Sequence, residues 1–100
     1  MNSQSTIAEL KALEPELVRA GIAALYLFGS FARGDMRHDS DIDLAFDVDD
    51  AHNASFNLID QAGLQIRLEN QLGRKVDFLE RRALHRDLRP RIERDMVRIF

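Results

Sequence analysis

Apolar residues at Ile7, Leu10, Leu13, Leu17 and Val18 recur at three- and four-residue steps and predict an opening helix. Thr6-Ile7-Ala8-Glu9 offers a capping box at its start. Pro15 predicts a kink or the start of a second short helix, and Gly21 an end. Ala24 to Phe28 is a short, continuous apolar run that predicts a buried strand. It stops at Gly29-Ser30, where Phe31 to Arg33 predicts a helical turn and Gly34 to Ser40 a polar loop. From Asp41 to Phe46 acids alternate with apolar residues, the period of a strand that keeps its acids on one face. Asp47 to Asn53 reads as an acidic loop, with Asp35 and Asp39 as further loop acids. A long helix is expected over Ser55 to Leu72, with an apolar stripe of Phe56, Leu58, Ile59, Ala62, Ile66 and Leu72, closed by Gly73. Val76 to Leu79 predicts a third strand. From Arg82 onward the spacing of Leu84, Leu88, Ile92, Met96 and Ile99 predicts helix again, broken near Pro90.

Strands alternating with helices imply an α/β (α+β) fold, a small mixed sheet of three or more strands with helices packed on it. The loop between the first two strands allows antiparallel pairing, whereas the long helix before the third requires a crossover. One hundred residues suit a single domain spanning 1–100, with a thin core.

Composition narrows the chemistry. The absence of cysteine excludes a disulfide scaffold and thiolate metal sites. No apolar run approaches membrane-spanning length, and the first residues carry no basic and apolar signal segment, so a cytoplasmic location without membrane contact is expected. Net charge is −3, but residues 74–100 hold nine Lys/Arg against five Asp/Glu. That basic tail could meet a polyphosphate or nucleic acid, though its alternating signs fit a solvated helix face, and direct nucleic-acid binding is not expected. His38, His52 and His85 lack ligand spacing and receive no role.

The candidate chemistry sits where strand meets turn. Asp41 and Asp43, two residues apart on a strand, place both carboxylates on one face roughly 6–7 Å apart. At an effective dielectric near 20 such charges repel by about 2–3 kcal/mol, which a divalent cation would turn into attraction. Carboxylate-only ligands favour Mg²⁺ or Mn²⁺. Asp77 lies between Val76 and Phe78 and joins the same face if the two strands are neighbours. Three acids can hold two metals, one orienting a triphosphate and one activating an acceptor hydroxyl, with Asp77 as candidate general base. Gly29 lets the backbone approach phosphates, Ser30 adds a hydroxyl, and Arg33 and Ser40 are further candidates for nucleotide binding. Each piece alone has a plainer reading: a turn, a solvated edge, an exposed acid. Gly-Ser and Asp-x-Asp at fixed spacing should arise by chance in roughly one chain in a thousand.

The stretch from Leu25 to Phe46, carrying Gly29-Ser30 and Asp41-Ile42-Asp43, with the downstream Gly73-Arg-Lys-Val-Asp77-Phe-Leu, resembles the signature of the DNA polymerase β-like nucleotidyltransferase superfamily, and within it the minimal nucleotidyltransferase (MNT) domain. The resemblance covers nearly the whole chain. It implies a polymerase β palm-like fold, a triphosphate held by Gly29 and Ser30, and two Mg²⁺ or Mn²⁺ ions bound by Asp41, Asp43 and Asp77, with ATP as the donor. It also implies a partner, because members of this branch pair as antitoxins with HEPN-domain RNase toxins, which studied examples neutralise by moving AMP to a tyrosine. Two alternatives stay open: an antitoxin that inhibits by binding alone, and a transferase for small molecules such as aminoglycosides. The base of the NTP and the acceptor are not fixed by these residues, and self-association is left open by the thin core and broad apolar helix.

Overall fold

The computed structural model describes residues 3–35, 37 and 40–100; His38 and Asp39 lie outside them. Two helices open the chain, α1 (Ser3–Ala12) and α2 (Glu14–Arg19). Then come β1 (Ile22–Phe28), the short α3 (Gly29–Arg33), β2 (Ile42–Val48), α4 (Leu58–Leu72) and β3 (Val76–Glu80). A 3₁₀ turn at Arg81–Ala83 leads to α5 (Arg89–Asp95) and β4 (Val97–Arg98). The four strands form one mixed sheet in the order β3-β2-β1-β4. β1 runs antiparallel to β2 and β4, while β2 and β3, joined by the α4 crossover, are parallel. The loop allowed the antiparallel pairing of β1 with β2, and the long helix required the crossover to β3.

Alternation along the strands divides the sheet into two faces. Ile42, Leu44, Phe46, Val76, Phe78, Leu25 and Leu27 point into the core, where they meet Leu10 and Leu17 from α1 and α2 and Leu68 and Leu72 from α4. Phe46 stacks on Phe78 with ring centroids 4.2 Å apart and meets Phe56 at 5.6 Å. An irregularity in β1 between Ile22 and Ala24 resets the alternation, so Ile22 and Leu25 are both buried. The opposite face carries Tyr26, Phe28, Asp43, Ala45, Asp47 and Asp77 and is covered only in part, by α3 and α5.

Four local expectations are corrected. Thr6 does not cap a helix: α1 begins at Ser3, and Thr6 is fully buried inside it. The cap that does form is at α4, where Asn57 accepts from the Asp60 amide and Asp60 from the Asn57 amide, both at 3.0 Å, so this helix starts at Leu58 and not at Ser55. The stripe of α4 is also rotated. Leu68 and Leu72 are buried, whereas Leu58 and Ile59 are 80% and 82% exposed and Ile66 is exposed too. Lastly, Pro90 starts α5 rather than breaking a helix, and the chain after Asp95 leaves helix to pair with β1 as β4, with Ile99 buried behind it. Among the described residues, no helix is long and apolar enough to cross a membrane.

Candidate active site

The site is assembled at one end of the sheet by two registers. In the parallel pair, Asp43 of β2 stands directly beside Asp77 of β3. In the antiparallel pair, Asp43 stands opposite Phe28, the last residue of β1, so Gly29 arrives at the acid as the chain turns into α3. The fit is close. Gly29 has φ +73, and a Cβ placed there would run into Oδ2 of Asp43 and lie 3.1 Å from its Cγ. Glycine is therefore required both for its left-handed backbone and for the carboxylate beside it.

Asp43 is electrostatically the centre of the group. Its pKa is pushed up to about 6, first by burial, then by a hydrogen bond with Asp77 and the negative charges of Asp77 and Asp41, partly offset by Arg33. Asp41 precedes β2 by one residue and is half-buried. The three predicted acids thus come to one end of the sheet. Among the described residues, however, no three of His, Cys, Asp or Glu are drawn together closely enough to form a ready ligand shell. The donor set still fits a hard divalent cation: the ligands are all carboxylate oxygens, and burial together with the charges of Asp77 and Asp41 makes the ionised form of Asp43 costly, a cost that a bound cation would offset.

The turn that follows β1 is built by α3. Its first residues, Gly29 and Ser30, follow an extended Phe28, and amides in a first helical turn have no intrahelical acceptor. Ser30 is half-buried, and its carbonyl accepts from the Asp35 amide at 3.0 Å, closing the turn through Gly34. Arg33 is exposed and reaches Asp35 at 3.3 Å and Asp95 of α5 at 3.4 Å. Ser40 closes its loop: its Oγ accepts from the Arg37 amide at 2.6 Å, and its carbonyl accepts from Arg74 at 3.1 Å.

Three features escaped the sequence. Asp47 is not a loop acid but the last acid of β2, its side chain only 13% exposed. It accepts from the Tyr26 hydroxyl at 3.0 Å and from Arg81 Nε at 2.9 and 3.1 Å, and Arg81 also approaches Glu93 at 3.7 Å. Burial and Asp47 push the Tyr26 pKa up. Arg74 packs its guanidinium over Phe31 at 5.5 Å while it holds Ser40, tying the loop to α3. Finally, Phe28 and Gly29 open onto a cleft of about 310 Å³ whose far side is α5. The only sequence signal for these was the crowding of arginines after Gly73.

Comparison with known proteins agrees with this geometry. The model of the nucleotidyltransferase domain family matches residues 7–99. The chain is 32% identical over 86 residues to "Putative protein adenylyltransferase MJ0435" of Methanocaldococcus jannaschii, covering 86% of this chain and 88% of that one. Among solved structures, "Structure of putative minimal nucleotidyltransferase" superposes with a TM-score of 0.81 at 33% identity, over 97% of this chain and 95% of the other. A toxin–antitoxin crystal structure with AMP-PNP gives 0.72 at 25% identity, over 92% and 72%. A tri-AMPylated Shewanella oneidensis HEPN toxin in complex with an MNT antitoxin matches in fold, at 0.61 and 21% identity, over 90% and 71%. The match along nearly the whole chain, on a mixed sheet that brings Gly29 to Asp43 and Asp77, places this protein in the nucleotidyltransferase domain family.

Proposed function

We propose that residues 1–100 form a single minimal catalytic domain that moves AMP from ATP to a tyrosine hydroxyl of a HEPN RNase, and so acts as the antitoxin of that toxin in the cytoplasm. The observation that carries the reading is the double register of Asp43, beside Asp77 in one strand pair and against Gly29 at the end of the other. It puts the Gly29-Ser30 turn and paired carboxylates within one residue's reach of each other, which supports a site for a triphosphate. The adenylyltransferase relative and the AMP-PNP-bound toxin–antitoxin neighbour support the donor and the class of partner.

In this reading Asp41, Asp43 and Asp77 hold Mg²⁺ or Mn²⁺, which when bound neutralises the triphosphate and lowers the pKa of the acceptor hydroxyl. The amides of Gly29 and Ser30 and the Ser30 hydroxyl hold the β- and γ-phosphates in line, with Arg33 turning from Asp95 toward them. Ser40 fixes the loop that leads into Asp41. Asp77 takes the proton of the acceptor hydroxyl. The acceptor oxygen then bonds to the α-phosphorus, the bond to the bridging oxygen breaks, and pyrophosphate leaves. The half-open sheet face leaves room for a protein to bring its own tyrosine.

The test is to co-express the chain with a HEPN RNase and recover the RNase for mass spectrometry. The proposal expects AMP on a tyrosine with the wild-type chain and none with Asp41→Asn/Asp43→Asn. An RNase that is inhibited equally by both, and never modified, would replace transfer by inhibition through binding.

A further inference from the structure

The cleft beside Gly29 contains more positive charge than the phosphate turn alone explains. One side is Gly29 and Arg33; the other is Leu88, Arg91, Ile92 and Asp95. These last four recur at three- and four-residue steps, so α5 and the residue before it turn one helical face to the cleft. Arg33 is already engaged by Asp35 and Asp95. Arg89, on another face of α5, donates to the carbonyls of Arg81 and Arg82 at 3.5 and 3.0 Å. Arg91 makes no ion pair or hydrogen bond among the described residues, which leaves it the uncompensated cation on the cleft wall. Leu88 and Ile92 add apolar surface to the same wall.

We infer that Arg91 binds the terminal phosphates of the nucleoside triphosphate and the pyrophosphate that leaves. The inference rests on the nucleotidyltransfer reading of the same site. A phosphate chain anchored at Gly29 and Ser30 extends along this cleft, and a guanidinium can grip it with two parallel hydrogen bonds. A cleft of about 310 Å³ is ample for two phosphate groups. The assignment makes α5 part of the donor site. Asp95 then has a second effect: it opposes the incoming phosphates directly and competes with them for Arg33.

Titration calorimetry with AMP-PNP, inorganic pyrophosphate and AMP, each with Mg²⁺, tests this on the full chain. Arg91→Ala is expected to weaken AMP-PNP and pyrophosphate by about tenfold or more and to leave AMP unchanged. Arg91→Lys should recover part of the loss. Arg94→Ala, off the cleft-facing side of α5, should bind all three like the wild type, and Asp95→Asn should bind AMP-PNP more tightly. Because Arg91 and Arg94 are exposed, both variants should keep the wild-type unfolding midpoint. Wild-type affinity for AMP-PNP and pyrophosphate in Arg91→Ala, or an equal loss for AMP, overturns the role of Arg91 while leaving the transferase reading standing. A wild-type chain that binds neither triphosphate nor pyrophosphate overturns both.

Discussion

The contact between Gly29 and Asp43 can be measured as a free energy. Gly29→Ala adds one methyl group with two separable costs. The first is conformational: alanine at φ +73 is disfavoured by about 1–2 kcal/mol relative to glycine. The second is the collision with Asp43, whose backbone is fixed on both sides by Phe28 and Asp77, so that only its side chain can yield. Turning that side chain off its rotamer costs about 0.5–1.5 kcal/mol and strains its bond to Asp77. The substitution should therefore cost about 2–3 kcal/mol in total, a fall in Tm of about 8–24 °C for a domain of this size. In an Asp43→Ala background the carboxylate is gone. What remains is the Asp43 Cβ, 3.4 Å from the new methyl and in ordinary contact. There Gly29→Ala should cost only the conformational part, so the double-mutant cycle should show a coupling of about 1 kcal/mol. Urea unfolding of the four proteins in EDTA reads it. Equal costs in the two backgrounds would refute the packing of the Gly29 turn against Asp43.

Two other consequences follow from the charges on the same face. The Asp43 pKa is raised in the folded state, from 3.8 to about 6, so the stability it confers is complete below about pH 4 and is lost as pH rises through about 6. After discounting for its half-exposed position, the loss should be about 1–2 kcal/mol in metal-free protein. Asp43→Asn should flatten the profile between about pH 4 and about 7, and added Mg²⁺ should restore stability to the wild type alone; an unchanged pH slope in Asp43→Asn argues against the strained carboxylate. Arg81→Ala leaves the Asp47 carboxylate, nearly covered, with Tyr26 as its remaining partner, and should destabilise the fold by about 1–3 kcal/mol in thermal unfolding. A loss near zero would mean that solvent reaches Asp47 freely.

Much of the site was legible because its chemistry is local. Gly29, Ser30, Asp41 and Asp43 lie within fifteen residues, and the period-two pattern of β2 orients its acids with no knowledge of the rest of the chain. Asp77 could be named from the sequence only on condition that its strand lay beside β2, and the parallel register supplies that condition. What escaped depends on distant partners. β4 is two residues long and exists because β1 has a free edge; the apolar spacing of Met96 and Ile99 serves a helix equally well. The buried face of α4 is not legible in the sequence because its apolar residues surround much of the helix, and only the sheet decides that Leu68 and Leu72 go inside while Ile59 stays out. Asp47 looked like the neighbouring loop acids until Tyr26 and Arg81, from two other segments, closed around it.

The central claim is that the acids around Asp43 transfer a nucleoside monophosphate to a protein. Its most direct test is label transfer from α-32P-ATP and, in parallel, γ-32P-ATP to proteins of a host lysate with Mg²⁺, using the wild-type chain and Asp41→Asn/Asp43→Asn. The account predicts a protein band labelled from the α-position only, absent with EDTA and absent with the variant. Label arriving from the γ-position, or an α-labelled band that persists in the double variant, would contradict it.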